Sequence, residues 1–468
     1  MLPMRRDLYL GAWAALACLS TASLACSDDG GGGGDEAQTE TETDAGTDTE
    51  SETGTDTDTE SETDTGAAWE DFEVGFDVRD LSPTEAELAE EFYLGGYGFY
   101  TERGPCEGVH DPVFVRTMAI AAGEDAMILA IVDSVGMGNQ WTRAMRGEIQ
   151  EATGLSPEQI VIATTHTHSG PDFMGLWGSV PEAYRERVIT AVVESAETAY
   201  TSRVPATLEV SSTITDNRNR RGWEFTDDSL VAVRASDPED GSLLGVMFAF
   251  AAHPVVLGSD NKLVSRDYPG YAVDALEAEL DVPVLLFNGI LGDVSPKVPE
   301  GDYADDFERA LAYGDLIAQA GLSLVEGGEV VSPELYRDYT EWDLVVENEL
   351  LKQAALGGLL DMDYDYDGET ASITTQSNYL RLGDSLQLVA FPGETLTRNG
   401  LAIKEFMTTP YTIVIGNAGE ALGYFIPSDE WMTGLNDDYE ESVSLGMMVG
   451  DQSRDAISVM ITDDPGAP

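Results

Sequence analysis

The alternation of short apolar runs with amphipathic segments, from about residue 69 to residue 468, most constrains the fold of this chain. A short β-branched run predicts a buried strand, and apolar residues spaced three and four apart predict a helix. Strands and helices interleave in the first half of this region, and strands dominate the second half. The pattern predicts an α/β fold with a mixed β-sheet and interleaved helices.

The predicted elements can be placed along the sequence. Two strands split by a turn at residues 123–125 account for residues 117–135. Further strands are predicted at 159–165, 245–257, 282–290, 335–346 and 372–391. Helices are predicted at 142–153, 181–200, 268–280 and 307–325. Because no convincing linker interrupts this region, we expect residues 67–468 to form a single large domain.

The first 66 residues differ from the rest in composition. Residues 1–25 carry Arg5 and Arg6 before a continuous apolar stretch, which predicts an export signal. Cys26 then resembles the lipid-anchor cysteine of bacterial lipoproteins, and simple cleavage and release is the alternative. Residues 26–66 are rich in Gly, Thr, Asp and Glu, which predicts a disordered acidic linker. We therefore expect an exported outer-membrane or cell-surface lipoprotein tethered to a membrane, or otherwise a secreted protein.

The net charge of the chain limits the classes of partner that it can bind. The formal net charge is −63, and such a field repels nucleic acid and anionic membranes at low salt. No sequence feature predicts a protein partner.

Once Cys18 is removed with the leader and Cys26 is lipidated, only Cys106 remains, so no internal disulfide is expected. We interpret Cys106 as a structural residue.

Two of the four histidines stand in the sequence THTHSGP, residues 165–171, directly after an apolar run. Because side chains alternate along a strand, His166 and His168 are expected on the same side of its C-terminal end. Sites in α/β sheets are built at such ends. Two imidazoles there suit a metal ion, or a metal ligand beside a proton-transfer group. Two strand-end residues with ordinary hydrogen bonds are the alternative.

Three more segments place polar residues after apolar runs. His253 would meet His166 if their two strands were neighbours. Residues 288–296, NGILGDVSP, form a glycine-rich turn that could line a pocket; Ser295 there lacks the nucleophile-elbow pattern, so we expect a structural or substrate-contacting role. Glu394, in the sequence PGET, could complete a metal site or cap the following helix.

Together, THTHSGP, GDVSP at residues 292–296 and PGET at 392–395 resemble the catalytic domain of the neutral, non-lysosomal ceramidases. The resemblance covers the chain from about residue 72 onward. It implies one zinc ion held by two histidines, a glutamate and a tyrosine, which would be His166, His253, Glu394 and Tyr424. Tyr424 could instead donate a hydrogen bond to the reaction intermediate.

The same resemblance implies roles for three further residues. His168 would transfer protons, while Arg220, chosen over Arg218, and Tyr439 would steady the oxyanion or position the polar head of the substrate.

The implied function is zinc-dependent hydrolysis of the amide bond of ceramide-like N-acyl lipids by a metal-activated water. Two departures from the family fall on the substrate side. Lys297 stands where the family has an asparagine, and residues 172–174, DFM, replace a glycine-rich stretch. A zinc hydrolase of another acyl amide or ester is therefore an alternative. A non-catalytic surface lipoprotein that binds a ligand is a further one.

Overall fold

The computed structural model describes residues 71–98 and 101–468. The export signal predicted at 1–25 and the linker predicted at 26–66 lie outside these residues. The segment Ala68–Pro468 forms one compact unit. Within the described part of the chain, no helix combines the length and the apolar character that crossing a bilayer requires.

The described residues form twenty strands and nine α-helices. The strands are β1 Phe72–Asp80, β2 Gly108–Val109, β3 Phe114–Ala122, β4 Asp125–Val132, β5 Ile160–Thr164, β6 Val204–Ile214, β7 Asn217–Asn219, β8 Ser229–Ser236, β9 Leu243–Phe250, β10 Leu263–Val264, β11 Val284–Asn288, β12 Val294–Pro296, β13 Glu329–Val330, β14 Leu335–Val345, β15 Asp365–Tyr366, β16 Ala371–Leu382, β17 Leu386–Ala390, β18 Glu394–Thr395, β19 Tyr411–Ile415 and β20 Tyr424–Phe425. The helices are α1 Glu85–Leu88, α2 Asn139–Thr153, α3 Glu182–Thr201, α4 Asp267–Leu280, α5 Asp306–Val325, α6 Glu349–Leu356, α7 Thr397–Lys404, α8 Tyr439–Ser442 and α9 Val449–Thr462.

The larger sheet has nine strands in the order β11-β9-β8-β6-β1-β3-β4-β5, with β13 paired to β6. Its strands are antiparallel except at the two edges, where β11 runs parallel to β9 and β4 runs parallel to β5. The strands β3, β4 and β5 are buried along nearly their whole length. Burial on both faces explains why these segments are continuous apolar runs rather than alternating ones.

The smaller sheet has the order β14-β16-β17-β19, with β15 paired to β16. One apolar core lies between the two sheets and contains Leu129 and Val161 of the larger sheet with Leu380 and Leu388 of the smaller. Helices α2 to α5 pack on the other face of the larger sheet. Helix α9 packs on the outer face of the smaller one. The result is four layers, with helices outside two central sheets, which gives most strands two buried faces.

The larger sheet bends until its two edge strands approach each other. The Nδ2 of Asn288, at the end of β11, donates a hydrogen bond of 3.1 Å to the carbonyl of Thr165, just past β5. The segment after β19 fills the gap, because the N–H of Gly416 donates to Asn288 and that of Gly419 donates to Ile162. The carboxyl ends of β5, β9 and β11 therefore meet, although β5 and β9 lie far apart in the strand order.

Candidate metal centre

Three imidazoles converge where the edges of the larger sheet meet. The Nε2 atoms of His166 and His168 are 3.1 Å apart, and the ring centroid of His253 is 4.9 Å from that of His166. One nitrogen of each ring lies within 4.8 Å of the other two. All three residues are buried. The group could hold a metal ion, because imidazole nitrogen is a common metal ligand.

The two histidines of the THTHSGP sequence are not oriented by strand alternation, so that part of our prediction is wrong. Strand β5 ends at Thr164, before either histidine. His166 has a φ of 65°, in the left-handed region that residues other than glycine rarely adopt. This turn directs its Nδ1 to the carbonyl of Val135, at 2.5 Å. The loops after β4 and β5, rather than the strand itself, therefore place His166.

His168 is held from its outer side by the glycine-rich turn at residues 95–98. Gly96 lies directly against the imidazole, and a Cβ at this position would overlap the ring. The ring of Tyr97 packs edge-on at 4.8 Å between centroids. The guanidinium of Arg103 donates to the main-chain carbonyl of His168 at 2.6 Å. The His168 Nδ1 has no hydrogen-bond partner among the described residues, so this ring is held by packing.

The donor atoms of two histidines and one glutamate face a common point. The Nδ1 of His253 bonds to the carbonyl of Val294 at 3.1 Å, as that of His166 does to Val135. A carbonyl only accepts, so each Nδ1 carries the hydrogen and each Nε2 presents a lone pair. The Glu394 Oε2 lies 3.0 Å from the Nε2 of His253 and 3.4 Å from that of His166. Three acceptors this close repel one another unless a cation lies among them, so these residues fit a metal ion.

Burial sets the protonation of this cluster. It lowers the pKa of His253 to about 4, with a further contribution from the nearby Arg220. Burial, together with the other two histidines, holds the pKa of His168 well below its usual value. Neutral imidazoles and an ionised carboxylate are the forms that bind a divalent cation.

Tyr424 and Arg220 border the cluster. The Tyr424 hydroxyl lies 3.4 Å from the Nε2 of His253 and accepts a hydrogen bond of 2.9 Å from the Nη2 of Arg220. The same Nη2 donates to the carbonyl of Gly292 at 2.7 Å, and the Arg220 Nε donates to Glu440 at 2.8 Å. Burial raises the pKa of Tyr424 well above its usual value, which favours the neutral phenol. Arg220 is therefore firmly placed next to the proposed tyrosine ligand.

Tyr439 lies one layer further out. The ring centroid of Tyr439 is 6.0 Å from that of Tyr424. The guanidinium carbon of Arg220 lies 5.9 Å from the centroid of the Tyr439 ring. Tyr439 is 42% exposed, so it lies on the solvent side of Tyr424. Arg218 instead lies in β7 opposite Ser295 and is exposed. The structure thus brings together all seven predicted site residues: His166, His168, Arg220, His253, Glu394, Tyr424 and Tyr439.

Two positioning residues were missed. The Asn288 Nδ2 donates to the carbonyls of both Thr165 and Ala252 at 3.1 Å, and its Oδ1 accepts from the Ala252 N–H at 3.3 Å. It therefore connects the residues that precede His166 and His253. The Asp293 carboxylate accepts hydrogen bonds from the N–H and hydroxyl of Thr397 at 2.7 and 2.6 Å. Asn288 ends β11 and Asp293 lies in the glycine-rich turn that follows it, so polar residues at a strand end were the available signal.

The remaining residues singled out in the sequence lie outside the cluster. The fourth histidine of the chain, His110, is exposed and stacks on Phe307, with centroids 3.7 Å apart. Lys297 pairs with Asp216 on the surface at 3.0 Å. Cys106 is a free, buried thiol, consistent with a structural role. The buried Asp172 carboxylate accepts four main-chain hydrogen bonds, from Met174, Gly175, Trp177 and Ser179. It thereby shapes the segment that departs from the family pattern.

Two fly proteins are similar to this chain in sequence. It is 23% identical over 268 residues to a neutral ceramidase of Drosophila pseudoobscura pseudoobscura, and 24% identical over 262 residues to that of Drosophila melanogaster. The matches cover 50% and 48% of this chain. They cover 37% and 36% of the fly proteins, so the chain spans little more than a third of their length. No family model matches the sequence.

Similarity of fold extends over more of the chain. The crystal structure of neutral ceramidase from Pseudomonas aeruginosa matches with a TM-score of 0.70, at 17% identity, over 84% of this chain and 74% of that protein. A ceramidase complexed with C2 matches with a TM-score of 0.69, at 17% identity, over 84% of this chain and 75% of that protein. These matches confirm the resemblance to the neutral ceramidases and the predicted α/β fold with a mixed sheet in one large domain.

Proposed function

We propose that this chain is a zinc-dependent hydrolase that cleaves the amide bond of ceramide-like N-acyl lipids. The observation that carries this proposal is the convergence of the Nε2 atoms of His166 and His253 with the Oε2 of Glu394. The similarity to neutral ceramidases supports the amide-hydrolase class and suggests the substrate. Water and the amide would give a fatty acid and a long-chain amine.

The donor set favours zinc. Two imidazole nitrogens and one carboxylate oxygen, with an open fourth position, are typical of catalytic zinc sites. His166, His253 and Glu394 would hold the ion, and the Tyr424 hydroxyl, 3.4 Å from the His253 Nε2, would be a further ligand beside the position left for water. Main-chain carbonyls fix both histidine tautomers, which is the usual arrangement around a metal-binding histidine.

The residues around the ion would supply the remaining chemistry. Bound zinc lowers the pKa of a coordinated water to about 7 and polarises a carbonyl. His168 lies 3.1 Å from His166 and is kept neutral by burial, so it is placed to accept a proton. It would then pass that proton to the leaving amine nitrogen. Arg220 and Tyr439 would offer hydrogen bonds to the developing oxyanion or to the polar head of the substrate.

A different acyl amide or an ester is the second candidate substrate. The segment that departs from the family packs close to the centre, because Met174 shares an apolar cluster with Val135, whose carbonyl orients His166. A different sequence at residues 172–174 favours a substrate with a different acyl or head group, cleaved by the same hydrolytic chemistry. The third candidate, a non-catalytic ligand-binding lipoprotein, leaves the convergent donor set without a purpose.

We also propose that the protein is exported and tethered to a membrane through Cys26, with residues 26–66 as the spacer. The leader sequence and the composition of the spacer support this location. Globomycin-sensitive processing and palmitate labelling that disappear in Cys26→Ser would test it. Release of the unlabelled wild-type protein into the medium would favour simple secretion.

Zinc content measured together with hydrolysis of a fluorescent short-chain ceramide tests the proposed function. We expect about one zinc per chain and chelator-sensitive release of fatty acid. Zinc without turnover of ceramide would keep the hydrolase and direct the search to other amides and esters. Failure to bind zinc after reconstitution would contradict the enzyme and leave the ligand-binding lipoprotein.

A further inference from the structure

The segment 431–442, which carries Tyr439, has an unusual attachment to the rest of the protein. Its only buried residues are Glu440 and Glu441. Met432, Asn436, Asp437 and Asp438 have φ values between 47° and 56°, in the left-handed region. A segment with this strained backbone and no buried apolar side chain needs an external anchor to keep one conformation. Its two buried carboxylates are its buried anchoring points. At the ends of the segment, the partly buried Trp431 packs against Tyr424 and its neighbours, and Asn348 donates to the carbonyl of Ser442 at 2.9 Å.

Arg221 holds both carboxylates. Its Nη1 donates to the Oε2 of Glu440 at 2.8 Å and to the Oε2 of Glu441 at 3.2 Å. Its Nη2 donates to the Oε1 of Glu441 at 3.1 Å, which completes a two-pronged pair. The side chains of Arg221 and Glu440 are 0% exposed, and that of Glu441 is 1% exposed. Removal of one partner from such a cluster leaves an uncompensated buried charge.

Glu440 connects this anchor to the metal centre. Its Oε2 accepts from Arg221, while its Oε1 accepts from the Nε of Arg220 at 2.8 Å. Arg220 in turn donates to the Tyr424 hydroxyl, which lies 3.4 Å from the Nε2 of His253. Because Tyr439 directly precedes Glu440, the same carboxylate governs the positions of Arg220 and Tyr439.

We propose that Arg221 is a positioning residue of this site, which holds Glu440 and Glu441 so that Tyr439 and Arg220 face the metal centre. Arg221 acts through these two carboxylates; it also contacts Glu430, just before the segment, whose carbonyl accepts a hydrogen bond of 3.4 Å from its Nη2. The kinetic part of this inference rests on the proposed hydrolase function, while the anchoring of the segment 431–442 does not.

Glu441→Gln tests the proposal with the smallest disturbance, because Glu441 contacts Arg221 and the Met432 N–H without contacting Arg220. We expect kcat per bound zinc to fall about tenfold, with zinc content unchanged. Glu349→Gln is the control, since Glu349 is an exposed glutamate that pairs with Lys352 across one helical turn. A lower melting temperature with unchanged kcat per bound zinc would overturn the positioning role.

A second comparison separates positioning from general destabilisation. If Arg221 acts through Tyr439 and Arg220, Glu441→Gln should lower kcat by less than about twofold when Tyr439→Phe is already present, because coupled residues are non-additive. Full additivity of the two losses would overturn the proposal. Arg221→Lys, which keeps the charge but loses the two-pronged pair, should show the same non-additivity.

Hydrogen exchange gives a result that does not depend on activity. In the zinc-loaded protein, amides of residues 431–442 should exchange at least about threefold faster in Glu441→Gln than in the wild type or Glu349→Gln. Unchanged exchange would overturn the anchor whatever the kinetics show. If the wild type turns over no amide, the proposed function fails, and faster exchange still supports the anchor.

Discussion

Glu394 and Tyr424 lie directly opposite each other in the parallel pair β18–β20, and their side chains reach the same nitrogen atom. The Nε2 of His253 lies 3.0 Å from the Oε2 of Glu394 and 3.4 Å from the hydroxyl of Tyr424. A two-residue ladder thus supplies both oxygen atoms at the proposed zinc site. Because the register of this short pair places them, a change in either residue is expected to affect metal binding.

Tyr424→Phe should weaken zinc binding, because it removes the hydroxyl next to the Nε2 of His253. A fall in affinity of about ten- to a hundredfold, measured by competition with a chromogenic chelator, would fit a ligand. Tyr439→Phe is the control, and it should retain zinc while losing turnover. If Tyr424→Phe binds zinc normally and loses only kcat, Tyr424 donates a hydrogen bond to the intermediate instead.

His166→Ala should abolish retention of zinc, since it removes one of the two imidazoles whose tautomers are fixed by main-chain carbonyls. Metal analysis of the dialysed protein measures this directly. His110→Ala serves as the control, because His110 stacks on Phe307 outside the cluster. Normal zinc content in His166→Ala would exclude His166 as a ligand.

His168→Ala should keep zinc and lose most turnover. A well-placed acid–base group contributes about a hundred- to ten-thousandfold to the rate, and the ring lies 3.1 Å from His166. Zinc content and kcat measured on the same preparation separate the two effects. Loss of zinc would instead assign His168 as a third imidazole ligand, which its distance to His166 also permits.

Asn288→Ala should lower both stability and zinc affinity. The substitution leaves the carbonyls of Thr165 and Ala252 without their donor, and each unsatisfied buried group costs about 1–3 kcal/mol. Denaturant unfolding and zinc titration give the two quantities. Asn378→Ala is the control, because this buried asparagine donates to Glu158 away from the centre; it should lose stability and keep its zinc affinity. Equal zinc affinity in both variants would contradict the positioning role of Asn288.

Asp267→Asn should change how stability depends on pH. Burial raises the pKa of Asp267 from 3.8 to about 7. The folded state therefore holds a proton that the unfolded state has lost between about pH 4 and pH 7, so the wild type loses stability as the pH rises through this window. The loss approaches about 4 kcal/mol above pH 7. The difference in unfolding free energy between variant and wild type should grow from pH 5 to pH 8, and a constant difference would refute this assignment.

Local pattern predicts the type of the elements it singles out, but it misses β1, β6, β8 and α9. Helix α3 was predicted at 181–200 and spans Glu182–Thr201, and β11 was predicted at 282–290 and spans Val284–Asn288. Burial on both faces leaves a strong apolar signal in such segments. The positions of His166, His253 and Glu394 shortly after buried strands were visible for the same reason, whereas Tyr424 rested only on the resemblance to the family.

The meeting of His166 and His253 could not be predicted from local pattern. It depends on the bending of a nine-stranded sheet, which brings together the ends of strands that are not neighbours. No feature of the THTHSGP sequence indicates the left-handed φ of His166, which directs its Nδ1 to the carbonyl of Val135. The role of Arg221 could not be predicted from the sequence, because its partners, Glu440 and Glu441, lie about 220 residues away.

The bend of the larger sheet also determines when the metal centre can form during folding. Asn288 and Thr165 are 123 residues apart, and His253 and Glu394 are 141 residues apart, so the centre exists only after distant strands have docked. Loop-closure entropy opposes such contacts until the intervening chain has collapsed. A metal ion would therefore bind late in folding, after most of the tertiary structure has formed. At a free concentration a thousand times its Kd, the ion would raise the free energy of unfolding by about 4 kcal/mol. The supply of metal would therefore set the stability of the fold as well as its chemistry.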